Sequence, residues 1–130
     1  MKYVRIALIQ MSMSASMSAN LDKALQHIKD AAQQGAQIVA LPELFLSPYF
    51  PQEKKKNADA YLVKIPSEPL EQLRVAAREH NLVIIAGSLF EKTGKCNYNT
   101  TVVINSDGKI LGDYRKMHIP HDPGFYELDY

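Results

Sequence analysis

The sequence predicts an α/β domain built on a mixed sheet, on three observations. Apolar, β-branched runs alternate with amphipathic helical patterns through the first two thirds of the chain. Two further strand-like runs, 97–104 and 110–115, follow and are joined by Asn105-Ser106-Asp107-Gly108-Lys109, a hairpin signal. Residues 82–87 are apolar on both alternations, as strands inside a layered sheet are. Strands alternating with helices early and a hairpin late give a mixed sheet with helices on at least one face.

Residues 3–10 are rich in β-branched and large apolar side chains and read as the first strand. Residues 11–19 alternate Met, Ser and Ala and read as a surface loop leading into a helix; the methionines imply no cofactor box. Asn20 is a candidate cap. Leu21, Ala24, Leu25, Ile28, Ala31 and Ala32 then form one stripe, with Asp22, Lys23, Gln26 and Lys29 off it. His27 falls on the polar side, and Gly35 closes the helix. The second strand, 37–41, runs into Pro42 and Glu43.

An ionisable group at the carboxyl end of a buried strand is where open α/β sheets carry their chemistry. Glu43 could equally face solvent or cap the next helix. Phe45-Leu46-Ser47-Pro48-Tyr49-Phe50-Pro51 is a stiff aromatic loop that could wall a pocket beside Glu43 or pack on the core. Residues 52–61 read as a short helix or loop. Ser67 begins a second helix with Leu70, Leu73, Ala76 and Ala77 on its buried face; Arg74, Arg78 and Glu79 lie on its wet face and Asn81 is its stop. Residues 82–87 are expected to be covered on both faces, and Gly87 permits a bulge or close backbone approach. After the hairpin comes Tyr114-Arg115-Lys116-Met117-His118-Ile119-Pro120-His121-Asp122, dense in ionisable groups and directly after a strand.

The bulk properties exclude several function classes. The 130 residues suffice for one domain with a real core, and no linker or repeat divides them. A net charge of +1 gives no electrostatic case for nucleic acid or an anionic membrane. The basic run Lys54-Lys55-Lys56 is most simply solvated. Cys96 is the only cysteine, so no internal disulfide forms, which fits a reducing compartment. The N-terminus lacks signal-peptide character and no apolar run is long enough to span a bilayer, so the expected location is the cytoplasm.

A carboxylate and a lysine at neighbouring strand ends can serve cleavage at a carbonyl. Ionised, Glu43 can take a proton from a nucleophile. Lys116 can steady a developing oxyanion, and Glu127 could hold that lysine or orient a substrate. The plainer readings are a strand-end surface lysine and a solvent-exposed acid near the chain end. Amide hydrolysis also needs a nucleophile. Cys96 lies in a turn entering a strand, with no oxyanion-hole motif around it, and reads as incidental. His118, His121 and Asp122 raise the question of a metal. Pro120 rules out a regular helical pair, and most sites need three or four converging ligands, so no metal is expected.

Ile38-Val39-Ala40-Leu41-Pro42-Glu43-Leu44-Phe45 resembles the glutamate motif of the carbon–nitrogen hydrolase, or nitrilase, superfamily, and Tyr114-Arg115-Lys116-Met117-His118-Ile119-Pro120 its lysine motif. The opening residues 4–11, the approach 35–39, Tyr98-Asn99-Thr100 and the segment 107–112 support it in the right order. Tyr49-Phe50-Pro51-Gln52 and the segment 118–127 are similar to the N-carbamoylputrescine amidase branch. The resemblance implies an αββα sandwich, of which residues 1–130 form roughly the first half, and a Glu–Lys–Cys triad. It implies that Glu43 is the general base, Lys116 the oxyanion stabiliser and Glu127 an additional active-site glutamate. The implied reaction is thiolate attack on the carbamoyl carbon of a linear carbamoyl amine or amide. N-carbamoylputrescine would give putrescine, ammonia and carbon dioxide, a step of polyamine biosynthesis. No cofactor is implied, and homo-oligomers are. In the family the nucleophilic cysteine lies well beyond the lysine motif, and Cys96 precedes Lys116, so the chain resembles a truncated N-terminal half, inactive alone. The alternative is a non-catalytic interaction module or truncated gene product that pairs through its unfinished sheet.

Overall fold

The computed structural model describes residues 3–54 and 57–130, so Lys55 and Lys56 of the basic run lie outside the described residues. The chain forms β1 (Ile6–Leu8), α1 (Met17–Gln33), β2 (Ile38–Ala40), α2 (Glu68–His80), β3 (Val83–Ile85), β4 (Leu89–Thr93), β5 (Cys96–Ile104), β6 (Ile110–Arg115) and a short hairpin, β7 (His121–Asp122) with β8 (Phe125–Tyr126). β1, β2 and β3 are parallel neighbours, as the helical crossovers between them require. β5 runs antiparallel to β3, β4 and β6. Val103 faces Ile85 on one edge and Gly112 on the other, while Thr100 faces Leu89 and Arg115. β3 and β4 therefore occupy one edge of β5 in succession, and β6 the other. This is the mixed α/β sheet with two main helices that the sequence predicts.

Both helices pack on one face. Leu21, Ala24, Ile28 and Ala31 of α1 and Leu70, Leu73, Ala76 and Ala77 of α2 share a core with Val39, Ile84, Val102 and Ile104 of the sheet. Each fully buried leucine, isoleucine or valine of this core contributes about 1.5–3 kcal/mol. The opposite face is open: Leu8 is 80% exposed and Ile6 56%, with Ile85 and Tyr114 also exposed. This corrects the expectation that residues 82–87 are covered on both faces. Within β3 only Ile84 is buried, because both helices lie on its side of the sheet.

Several local readings change. The cap of α1 is Ser16, whose side chain accepts from the Ala19 N–H. Asn20 lies inside the helix, fully buried, with its amide donating to the carbonyls of Ser14 and Leu46. Of the two readings of residues 52–61 the loop holds: among the described residues there only single 3-10 turns form, at Phe50–Gln52 and Asp59–Tyr61. The bounds of α2 stand as predicted, with Ser67 its N-cap and Asn81, left-handed at φ 52°, its C-cap. His27 is half-buried rather than solvent-facing. Among the described residues no group of three His, Cys, Asp or Glu side chains could hold a metal ion. His121 instead faces Asp129 at 4.0 Å. No helix among the described residues is long and apolar enough to cross a membrane.

Candidate active site

The turn that carries Glu43 is fixed from behind. As β2 ends, the Leu41 N–H donates to the Ile85 carbonyl at 3.0 Å. Pro42 has no N–H to continue a ladder, and Glu43 opens a tight turn. Leu44 sits in the left-handed region at φ 48°, sparsely populated for a non-glycine residue and worth about 1–3 kcal/mol of strain. Its burial and the bond from its N–H to Ser88 Oγ at 2.9 Å hold it there. Gly87 completes the support, because a Cβ there would run into the carbonyl oxygens of Pro42 and Leu41. The close approach expected of Gly87 is thus what seats the Glu43 turn on β3.

Lys116 is the first residue past β6, and its N–H donates to the Asn99 carbonyl at 2.8 Å. The β7–β8 hairpin, turning at Pro123-Gly124, brings the chain back so that Glu127 faces the same lysine. The ammonium of Lys116 lies 3.0 Å from Glu43 Oε1 and 2.9 Å from both Oε1 and Oε2 of Glu127. The structure thus brings together all three residues singled out in the sequence. The two carboxylates are differently housed. The Glu127 side chain is 7% exposed and that of Glu43 is 46% exposed. Burial would lower the Lys116 pKa, but the hydrogen bonds and charges of Glu127 and Glu43 outweigh it and the pKa is raised. At neutral pH the lysine is a fixed cation between two acids.

Three neighbours were not legible as site residues. Asn99 Nδ2 donates to Glu43 Oε1 at 2.7 Å, so the residue that binds the Lys116 backbone also holds the Glu43 carboxylate. Tyr49 Oη donates to Glu127 Oε1 at 2.7 Å. Burial first, then the hydrogen bond and charge of Glu127, pushes the Tyr49 phenol above its ordinary range. Behind Lys116, Arg115 grips the buried Glu91 with two bonds of 3.0 Å, and Thr100 and Thr93 donate to the same carboxylate. The only signals in the sequence were the position of Asn99 within Tyr98-Asn99-Thr100 and of Tyr49 within the aromatic loop.

Two clefts flank the cluster. One, of about 290 Å³, has Lys116, Glu127 and Asn99 at its polar end and Leu44, Phe50 and Phe90 on its walls. The other, of about 260 Å³, reaches Glu43 and Lys116 from the side of Gly87 and Tyr114. An exposed carboxylate beside a fixed ammonium can accept a proton while the ammonium stabilises a growing negative charge on oxygen. Cys96 takes no part. It is exposed, pairs with Thr93 at the far end of β5, and lies three residues from Asn99, about 10 Å at the rise of a strand.

A sequence model of the family described as carbon-nitrogen hydrolase matches residues 5–130. Among curated relatives, the omega-amidase NIT2 of Xenopus tropicalis is 44% identical over 115 residues, covering 88% of this chain and 40% of the relative. A citrullinase of Francisella tularensis is 38% identical over 133 residues, covering 100% of this chain and 46% of the relative. The crystal structure of a carbon-nitrogen hydrolase from Helicobacter pylori superposes with a TM-score of 0.81 at 30% identity, over 98% of this chain and 44% of that one. The chain thus spans less than half the length of the proteins it matches. These relatives are named omega-amidase and citrullinase, and the narrower expectation of an N-carbamoylputrescine branch and of polyamine biosynthesis finds no support in them.

Proposed function

The chain belongs to the carbon-nitrogen hydrolase family, and on that premise we propose that it carries the glutamate–lysine–glutamate part of an amidase site. The observation that supports this reading is the Lys116 ammonium shared between Glu43 and Glu127 at 2.9–3.0 Å. In this reading Glu43, the more exposed acid, takes the proton of an attacking thiol. Lys116 then meets the oxyanion that forms as the thiolate adds to the amide carbon. As that intermediate collapses Glu43 returns the proton to the departing nitrogen, ammonia leaves, and water adds to the thioester to release the acyl group as an acid and restore the thiol. Glu127 keeps Lys116 in place. The thiol belongs to a part of the family domain that these 130 residues do not include, since Cys96 stands apart from the cluster.

The substrate class is a linear aliphatic molecule ending in an unsubstituted –CO–NH₂ group. An omega-amide and the ureido group of citrulline, the substrates in the names of the relatives, share that terminus. N-carbamoylputrescine shares it too and remains the narrower alternative, resting only on the loop and hairpin segments quoted from the sequence. The test joins residues 1–130 to the unmatched remainder of an omega-amidase relative and measures ammonia released from an omega-amide, citrulline and N-carbamoylputrescine. Turnover is expected, with Glu43→Gln and Lys116→Met each slowing it by about a hundredfold or more. Turnover that survives both substitutions contradicts the assignment. The second reading, an interaction module, is favoured by one observation, the open apolar sheet face with Leu8 80% exposed.

A further inference from the structure

The geometry points to Tyr49 as a positioning residue that fixes Glu127, and through it the Lys116 ammonium, so that Glu43 alone is left free to exchange protons. This deepens the reading of the cluster as the acid–base part of an amidase site and rests on it. The loop that carries Tyr49 leaves the Glu43 turn and is constrained along its length. The Ser47 N–H donates to the Leu44 carbonyl at 3.0 Å, and Pro48 and Pro51 bracket Tyr49 and Phe50. The Tyr49 ring packs against Phe125 of the β7–β8 hairpin with centroids 6.2 Å apart. Its hydroxyl then reaches Glu127 Oε1 at 2.7 Å.

Glu127 is therefore gripped from two sides. Tyr49 donates to one oxygen and Lys116 to both, and the carboxylate is nearly closed to solvent at 7% exposure. An acid so occupied aims the ammonium rather than serving as a base. Glu43 differs in kind. Asn99 and Lys116 both donate to its Oε1, and among the described residues no hydrogen bond reaches Oε2. With its side chain 46% exposed, that second oxygen is open to an incoming proton. Tyr49 keeps its own proton, since burial and the Glu127 charge raise its pKa, so it acts only as a donor. The aromatic loop thus gives the two acids of one cluster different duties.

The test is made on the 130-residue chain and needs no turnover, so absence of ammonia release from the chimera would count against the proposed function and leave this inference standing. With tyrosine labelled at ¹³Cζ, one of the seven phenols is expected to stay protonated through about pH 10, where ordinary tyrosines ionise. That resonance disappears in Tyr49→Phe, and its ionisation moves to lower pH in Glu127→Gln, where burial remains but the hydrogen bond and charge of Glu127 are gone. In Tyr49→Phe with an unchanged backbone amide spectrum, the Lys116 ammonium protons exchange with water about tenfold faster, the worth of one hydrogen bond to a charged group. Tyr49 ionising with the other tyrosines in the wild-type chain overturns the proposal, and so does an unaltered Lys116 exchange rate in Tyr49→Phe. Should Tyr49→Phe fail to fold, a phenol that Glu127→Gln leaves unmoved overturns it as well.

Discussion

At the scale of single residues, charge is set by partners that lie far away in the sequence. Glu91 sits on β4 with its side chain 7% exposed, and its carboxylate survives there because Arg115, Thr100 and Thr93 bond to it. The Arg115 hydrogen bond, against the cost of burial, lowers its pKa to about 2. A carboxylate whose folded pKa lies below its unfolded value, about 4.3, stabilises the fold fully above the unfolded value and loses that contribution as pH falls toward 2. The stabilisation is on the order of 2 kcal/mol, and urea unfolding at pH 7 and at pH 3 should differ by more than in a Glu91→Gln variant. Equal pH dependence in the two chains would refute it. Asn99→Ala removes the donor on Glu43 Oε1, and in an active chimera should lower kcat about tenfold with a smaller change in KM, measured as ammonia release. Glu43 and Lys116 were legible because strand ends announce themselves, one by Pro42 and the other by the ionisable run after β6. Glu127 was read from the residues only as an acid that could hold the lysine or simply face solvent, and the resemblance gave it a place in the site. Asn99 and Tyr49 were not legible, because their partners lie 56 and 78 residues away and no local pattern couples them.

At the scale of elements, long periodic stretches were read correctly and short or exceptional ones were not. The stripes of α1 and α2 and the β5–β6 hairpin follow periodicity and turn chemistry. β4 was missed because Leu89-Phe90-Glu91-Lys92-Thr93 carries adjacent charges, and the burial of Glu91 depends on Arg115 from another strand. The cap of α1 was misplaced because Asn20, a good cap by type, is worth more as a buried bridge between Ser14 and Leu46. The element that matters most for the cluster is the seat of the Glu43 turn. Gly87 has φ 51° and backbone oxygens of Leu41 and Pro42 against it. Gly87→Ala should cost about 2 kcal/mol or more, read from chemical unfolding, and should loosen the Glu43 turn. A variant as stable as the parent would mean that the turn is not seated on β3 as described.

At the scale of the whole molecule, the chain is a one-sided sheet. Helices cover one face, and the other presents Ile6, Leu8, Ile85 and Tyr114 to solvent along the strands that carry the cluster. Apolar surface of that kind marks an interaction face or drives association. Light scattering should therefore find concentration-dependent association of the isolated chain, weakened in an Ile6→Lys, Leu8→Lys double variant. A monodisperse monomer at all concentrations would contradict it. Because no thiol stands beside Glu43 and Lys116, the isolated chain should release no ammonia from an omega-amide, and turnover abolished by Cys96→Ala would reverse that conclusion. What remains common to both outcomes is the ammonium held between two acids. Its most direct measure is the ¹⁵N titration of Lys116 Nζ in the 130-residue chain. Lys116 should lose its proton above the ordinary lysine value of about 10.4. Glu127→Gln should bring that titration down, and Glu43→Gln should do so to a smaller extent. A Lys116 that titrates with the solvent-exposed lysines, unmoved by either substitution, would contradict the shared cluster and the site built on it.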